Sequence, residues 1–99
     1  AISYFELGKA YLALGRHEEE VGAYKEAIKL YPKYIEAHYN LAMAYDLLKQ
    51  GPNAIKHMLL ALDLYTAKRN HARIRGVKRQ LKLLYFKYPN RPIINESKN

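Results

Sequence analysis

The sequence repeats itself with a constant period, and this period constrains the fold more than any other feature. The matching pairs are Leu7 and Leu41, Ala10 and Ala44, Tyr11 and Tyr45, Leu14 and Leu48, Val21 and Ile55, Ala27 and Ala61, and Tyr31 and Tyr65. A fixed period of roughly 34 residues is typical of proteins built from stacked copies of one supersecondary unit. A single unit cannot bury its apolar face alone, so the copies are predicted to stack side by side.

The spacing of apolar residues within each unit predicts two helices. Apolar side chains recur every three or four residues, which places them on one face of a helix. Gly15, Pro32 and the pair Gly51-Pro52 interrupt these patterns where helices are expected to end or begin. The predicted helices span residues 2–14, 18–31, 34–48, 52–65 and 70–87. The fold class is therefore all-α, an α-solenoid of antiparallel helix pairs with five helices.

The third cycle of the repeat departs from the first two. Counting one period onward puts Arg75 at the position of Leu41 and Arg79 at that of Tyr45. An apolar stripe nevertheless continues through this segment, which predicts a basic amphipathic helix that caps the stack. The predicted organisation is repeat one over residues 1–34, repeat two over 35–68, a capping helix over 70–88, and a disordered tail over 89–99.

The positive charge is concentrated in the C-terminal third of the chain. The 99 residues have the length of one domain, with a net charge of +8. Residues 64–95 contain nine lysines and arginines and no acidic residue, whereas residues 1–63 contain seven basic and eight acidic residues. An asymmetry of this kind indicates a surface that meets an acidic partner.

Several function classes find no support in the sequence. Without cysteine, neither a disulfide nor a thiolate metal site can form. The four histidines are spread over four parts of the chain with no pair at i and i+4, and no residue set indicates an enzyme, a metal site or a cofactor. There is no apolar run near the ~20 residues of a membrane-spanning helix and no signal peptide, which favours the cytoplasm while the compartment stays unknown.

The repeated residues resemble the tetratricopeptide (TPR) repeat, a 34-residue helix–turn–helix unit. The first copy matches its pattern at Tyr4, Leu7, Gly8, Tyr11, Tyr24, Ala27 and Pro32, and the second at Leu41, Ala42, Tyr45, Ala54 and Ala61. Departures from the pattern occur at Glu20, His38, Met58 and Thr66. The resemblance covers residues 1–68, and residues 69–88 are similar to the extra helix that closes such arrays. It implies a right-handed superhelix and a non-catalytic protein-binding scaffold or adaptor.

In this family, the first helix of each repeat lines a concave groove that binds a peptide or helix of a partner protein. The resemblance therefore implies a groove formed by Phe5, Lys9, Leu12, Glu36, Tyr39, Asn40, Met43, Asp46 and Arg73, with Ile74 and Val77 added by the capping helix. A simpler interpretation is that Phe5 and Met43 only pack against neighbouring helices. Some family members clamp an acidic carboxylate tail, but only Asn40 matches that pattern here.

Two other functions stay open. Arg75, Lys78, Arg79 and Lys82 share one helix face, which could contact an acidic protein, a nucleic acid or an anionic lipid, or could simply be solvated. The first helix has no predicted cover on its outer side, so we expect either upstream repeats or self-association into a homo-oligomer.

Overall fold

A computed structural model describes residues 2–89 as five helices. They are α1 (Ile2–Ala13), α2 (His17–Leu30), α3 (Ile35–Leu47), α4 (Gly51–Ala67) and α5 (His71–Lys87). This confirms the prediction of an all-α helical repeat, and each predicted helix is present to within a few residues at its ends. From residue 90 onward, the tail predicted to be disordered lies outside the described residues.

The helices pack mainly on their neighbours along the chain. The principal contacts are α1 with α2, α2 with α3, α3 with α4, and α4 with α5. The connections contain only three or four residues, so consecutive helices run antiparallel. This places α1, α3 and α5 (the inner helices) on one side of the stack and α2 and α4 (the outer helices) on the other.

The two repeats end their inner helices in the same way. Gly15 after α1 has φ 72°, and Lys49, at the equivalent position after α3, has φ 62°. In both places the next backbone N–H reaches back into the last turn, from Arg16 to the Tyr11 oxygen and from Gln50 to the Tyr45 oxygen, each at 2.9 Å. Glycine adopts this left-handed conformation at little cost, which confirms Gly15 as the helix stop.

The core is centred on repeat two because only this repeat has a neighbour on each side. Its fully buried side chains include Leu41, Ala42 and Met58, and repeat one adds Tyr24, which is 0 % exposed. From the other side α5 adds Val77, Leu81 and Leu84, which are all at most 5 % exposed. Repeat two is therefore stabilised by burial against both repeat one and the capping helix.

The equivalent face of α1 is uncovered. Leu7 is 42 % exposed although its equivalent Leu41 is 0 % exposed. Tyr4 is 40 % exposed, whereas its equivalent His38 is 5 % exposed. The difference arises because α2 covers this face of α3, while among the described residues nothing occupies the same place against α1.

The register of α5 differs from the sequence expectation by two residues. Thr66 stands where repeat one has Pro32, and its hydroxyl donates a hydrogen bond to the Leu62 carbonyl oxygen at 2.7 Å. Without the proline, α4 continues to Ala67 and is 17 residues long, against 14 for α2. Consequently α5 begins at His71, two residues later than the period counted from the start of α3 at Ile35 predicts.

This shift corrects the expectation that Val77 lines the groove, because Val77 is 1 % exposed. Ile74 is half-buried and packs against the core, as Tyr39 and Met43 do. The positions of Leu41 and Tyr45 are taken in the capping helix by Val77 and Leu81, which leaves Arg75 and Arg79 outside the core.

Candidate functional site

The inner side of α1 contributes one buried and two exposed side chains to the predicted groove. Phe5 is 9 % exposed, and its ring centroid lies 4.9 Å from that of Tyr34 and 5.7 Å from that of Tyr24. Phe5 therefore packs beneath the surface of the predicted groove, against Tyr24 and Tyr34. The Lys9 ammonium lies 5.3 Å above the Phe5 ring, and Leu12, one turn further on, is 43 % exposed.

The middle of the predicted groove is formed by α3. Tyr39, Asn40 and Met43 are each half-buried, and Glu36 at the start of the helix is exposed. These side chains occur at one-turn intervals along the same helix, so they form a continuous strip with access to solvent.

A buried hydroxyl lies beside this strip. The Tyr24 side chain is 0 % exposed, and within the described residues its hydroxyl has no hydrogen-bond partner. Burial raises the pKa of Tyr24 to about 12. The negative charge of Glu20 also raises this pKa, whereas Asn40 lowers it. The Tyr24 phenol therefore stays neutral at physiological pH.

Asp46 is bound by the end of the capping helix. Its Oδ2 lies 2.6 Å from Lys87 Nζ, and its Oδ1 accepts a hydrogen bond from the Tyr88 hydroxyl at 2.8 Å. Burial raises the pKa of Tyr88 to about 12, and the hydrogen bond to Asp46 adds to the shift. The carboxylate of Asp46 thus fastens α5 to α3, and its negative charge is neutralised within the molecule.

Arg73 lies next to the α3 strip at the other end of α5. Its backbone N–H donates to Asn70 Oδ1 at 3.2 Å, which caps the helix. A small cavity of about 100 Å³ lies between Tyr39 on α3 and Ala72, Arg73 and Gly76 on α5. This cavity shows that the strip on α3 continues onto α5.

The four residues of the predicted basic surface are all exposed. Arg75, Lys78, Arg79 and Lys82 lie on the half of α5 that faces away from the buried residues Val77, Leu81 and Leu84. Within residues 2–89 none of the four takes part in an ion pair.

An open cleft that sequence reasoning missed lies between the two inter-repeat connections. It has a volume of about 710 Å³ and is lined by Tyr31, Lys33, Tyr34, Ile35, Glu36, Tyr65, Lys68 and Asn70. Tyr31 and Tyr65 are equivalent in the repeat period, as are Tyr34 and Lys68. That equivalence is the signal that could have predicted the cleft, because equivalent loops of stacked repeats lie side by side.

Sequence reasoning also missed a pair of histidines. His38 on α3 and His57 on α4 are 19 residues apart, yet their Nδ1 atoms are 3.3 Å apart. His38 Nε2 lies 2.8 Å from the Pro32 carbonyl oxygen, which can only accept, so this nitrogen carries the proton. In the neutral pair, His38 Nδ1 therefore accepts a hydrogen bond from His57 Nδ1.

Neither a metal-binding cluster nor a membrane-spanning helix is present in the described part of the chain. Residues 2–89 include no group of three or more histidine and acidic side chains that could hold a metal ion. None of the five helices is both long and apolar enough to cross a membrane.

Comparison with known proteins agrees with the architecture. The family described as TPR repeat matches residues 8–49, which extend from α1 through α2 and α3 to the start of the next connection. No curated protein matches the chain. The match spans both the first helix pair and the first helix of the second pair, and the five helices have the arrangement of a helical repeat. Residues 8–49 are thus similar to the tetratricopeptide repeat family.

Proposed function

We propose that this protein binds an extended or helical segment of a partner protein along the groove formed by its inner helices. TPR repeats generally mediate protein–protein interaction and are typically non-enzymatic. The chain supplies the features that such a function needs, which are a preformed helical surface and side chains that are partly but not fully buried.

The observation that carries the proposal is the strip of Tyr39, Asn40 and Met43 on α3. The three residues are half-buried in the middle of the stack, where neighbouring helices hold the backbone in place. Tyrosine provides a large contact area with few rotatable bonds, and methionine adapts its shape to different ligands. The asparagine side chain can donate to and accept from a peptide backbone. Because the helices are already ordered, binding costs little conformational entropy on this side.

The proposal is tested with peptides selected from a random 12-residue library displayed on phage. We expect the variant Tyr39→Ala/Asn40→Ala to bind the selected peptides at least about tenfold more weakly than the parent, because it removes two central contacts. Fluorescence anisotropy with labelled synthetic peptides measures the affinity.

A matched control is the variant Lys56→Ala/Leu60→Ala. Both residues are exposed on α4, opposite its buried face, so this variant removes one polar and one apolar side chain outside the groove. It should bind like the parent. Equal binding by parent and Tyr39→Ala/Asn40→Ala would refute the groove as the binding site.

A second candidate function is self-association through the uncovered face of α1. The exposure of Tyr4, Leu7 and Leu14, which are 40 %, 42 % and 67 % exposed, favours it. A second copy of the chain can bury these side chains against its own α1 in a symmetric dimer.

A further inference from the structure

We infer that the basic residues of α5 form the third wall of the proposed groove, and that the segment it binds is acidic and carries large apolar side chains. This inference rests on the proposed function and adds to it the chemistry of the partner. It begins from the two-residue shift in the register of α5.

The shift changes which residues of α5 correspond to the groove residues of α3. Leu41 and Tyr45 on α3 are buried in the same pattern as Val77 and Leu81 on α5, and the half-buried Leu48 just after α3 matches Leu84. Each pair is separated by two residues more than the repeat period. With this offset the groove positions Glu36, Tyr39, Asn40, Met43, Asp46 and Leu47 correspond to Ala72, Arg75, Gly76, Arg79, Lys82 and Leu83.

Contacts at both ends of α5 support this correspondence. Near its start, Ala72 and Gly76 share a cavity with Tyr39 of the α3 strip. At its end, Lys87 reaches Asp46, the last polar groove position of α3. These contacts show which side of α5 lies next to α3 at each end of the helix, and the adjoining exposed side faces the groove.

The groove that results has an unbalanced positive charge. Glu6 is paired with Lys9 at 3.5 Å, and Asp46 is paired with Lys87. Among the described groove positions this leaves Glu36 as the acid without an ion pair, against Arg73, Arg75, Arg79 and Lys82. Unlike charges attract across a groove more strongly than on an open surface, because part of the solvent is excluded.

The same side of the molecule also exposes apolar side chains. Leu47 on α3 is 52 % exposed, and Leu83 and Phe86 on α5 are 51 % and 85 % exposed. Leu47 and Leu83 are equivalent under the same offset, so they lie at the same end of neighbouring helices. A peptide segment that alternates acidic and large apolar side chains can pair with the arginines and also cover these exposed apolar side chains. A nucleic acid supplies negative phosphates but no apolar side chains.

One basic residue of α5 provides a matched control. Lys78 corresponds to Ala42, which packs against the second helix of its own repeat. No such helix follows α5 among the described residues, and Lys78 is exposed at the end of the stack, away from the groove. Lys78→Glu changes the net charge by the same amount as Arg79→Glu, but the changed residue lies outside the groove.

The inference is tested with the peptides from the random 12-residue library and with a single-stranded 20-nucleotide DNA. We expect the selected peptides to be enriched in Asp, Glu, Leu and Phe. Arg75→Glu/Arg79→Glu should weaken their binding at least about tenfold, and Lys78→Glu should change it less than about twofold. Arg75→Gln/Arg79→Gln gives the same direction with a smaller loss, and circular dichroism confirms that the variants stay helical.

Other results would overturn it. Selected peptides that need Tyr39 and Asn40 but are not acidic, or that tolerate Arg75→Glu/Arg79→Glu, contradict the acidic partner and leave the proposed groove function intact. Peptides that ignore Tyr39→Ala/Asn40→Ala contradict both proposals. DNA that binds more tightly than every peptide, and that loses affinity equally on reversal of Lys78 and of Arg79, assigns the basic residues to nucleic acid instead.

Discussion

At the level of single residues, the two repeats meet the same packing requirement with different pairs of side chains. In repeat one, a Cβ atom added at Gly8 would collide with the ring of Tyr24. In repeat two, the equivalent positions hold Ala42 and Met58, which are both 0 % exposed. The large ring of Tyr24 thus fits because Gly8 has no side chain. In repeat two, the more adaptable side chain of Met58 leaves room for the methyl group of Ala42.

This complementarity predicts the effect of Gly8→Ala. The added methyl group should lower the free energy of unfolding by about 1–3 kcal/mol because the Tyr24 ring must move. Gly22→Ala is the control, since nothing lies within 4 Å of its added Cβ. It should raise the free energy of unfolding by about 0.5–1 kcal/mol through helix propensity. Urea denaturation measures both.

A double variant separates a true pair effect from a general intolerance at Gly8. In Gly8→Ala/Tyr24→Met, repeat one receives the pair that repeat two already has, so the two substitutions should be less destabilising together than the sum of their separate effects. Strict additivity of the two free-energy changes would contradict the account of the pair.

The histidine pair makes stability depend on pH. Burial lowers the pKa of His57 to about 4, and the positive charges that His38, Lys56 and Lys25 can carry add to the shift. His57 also stacks on Tyr45 with ring centroids 5.7 Å apart. In the unfolded chain a histidine binds a proton below about pH 6.5, while folded His57 stays neutral until about pH 4. The unfolded state therefore binds more protons in this interval, and stability falls as the pH falls.

We expect the parent to lose about 1–2 kcal/mol of unfolding free energy between pH 6.5 and 4.5, after allowance for solvent around the partly exposed ring. His57→Gln should show a flatter dependence in the same interval. His71→Gln, which alters an exposed histidine on α5, should retain the slope of the parent. A parent whose stability is constant over this range, measured by urea denaturation at each pH, would rule out the neutral pair.

At the level of helices, the uncovered face of α1 predicts self-association. Leu7 and Leu14 are 42 % and 67 % exposed, and burying apolar surface of this kind favours association. Sedimentation velocity should show an average mass that rises with concentration for the parent. Leu7→Asp/Leu14→Asp should remain monomeric, and Leu60→Asp, an exposed leucine on α4, should behave like the parent. A parent that is monomeric at every concentration would contradict this candidate function.

Helices and their pairing were predictable from the sequence because the repeat period and the Gly and Pro interruptions act locally. The register of α5 was not, although its cause is visible at Thr66. A threonine in place of a proline permits a longer helix but does not require one. The extra residues of α4 are fixed by how α5 packs against it, and this is a tertiary effect. A count based on the period alone therefore assigned Val77 to the groove and placed Arg75 at the position of Leu41 instead of that of Tyr39.

Only part of the candidate site could be predicted from the sequence. The resemblance to the TPR repeat implies the strip of Tyr39, Asn40 and Met43, and in the structure these half-buried residues lie along one side of α3. The binding of Asp46 by Lys87 and Tyr88 joins residues 41 and 42 positions apart, and no local pattern indicates it. The same applies to His38 and His57, since only the antiparallel packing of α3 on α4 brings them together.

At the level of the whole molecule, the stack places α1, α3 and α5 on one side and α2 and α4 on the other. Inner and outer helices both contribute side chains to the core, and the inner helices also carry the half-buried strip and the arginines that have no ion pair within residues 2–89. We propose that ligands bind to the inner helices.

The most direct test of this claim is NMR chemical-shift mapping of the ¹⁵N-labelled protein with a peptide from the library selection. We predict that the largest shifts occur at the amides of Lys9, Asn40, Met43 and Arg79, on three different helices, with small shifts along the exposed faces of α2 and α4. Shifts concentrated on those outer helices, or on the uncovered face of α1 at Leu7 and Leu14, would contradict the account.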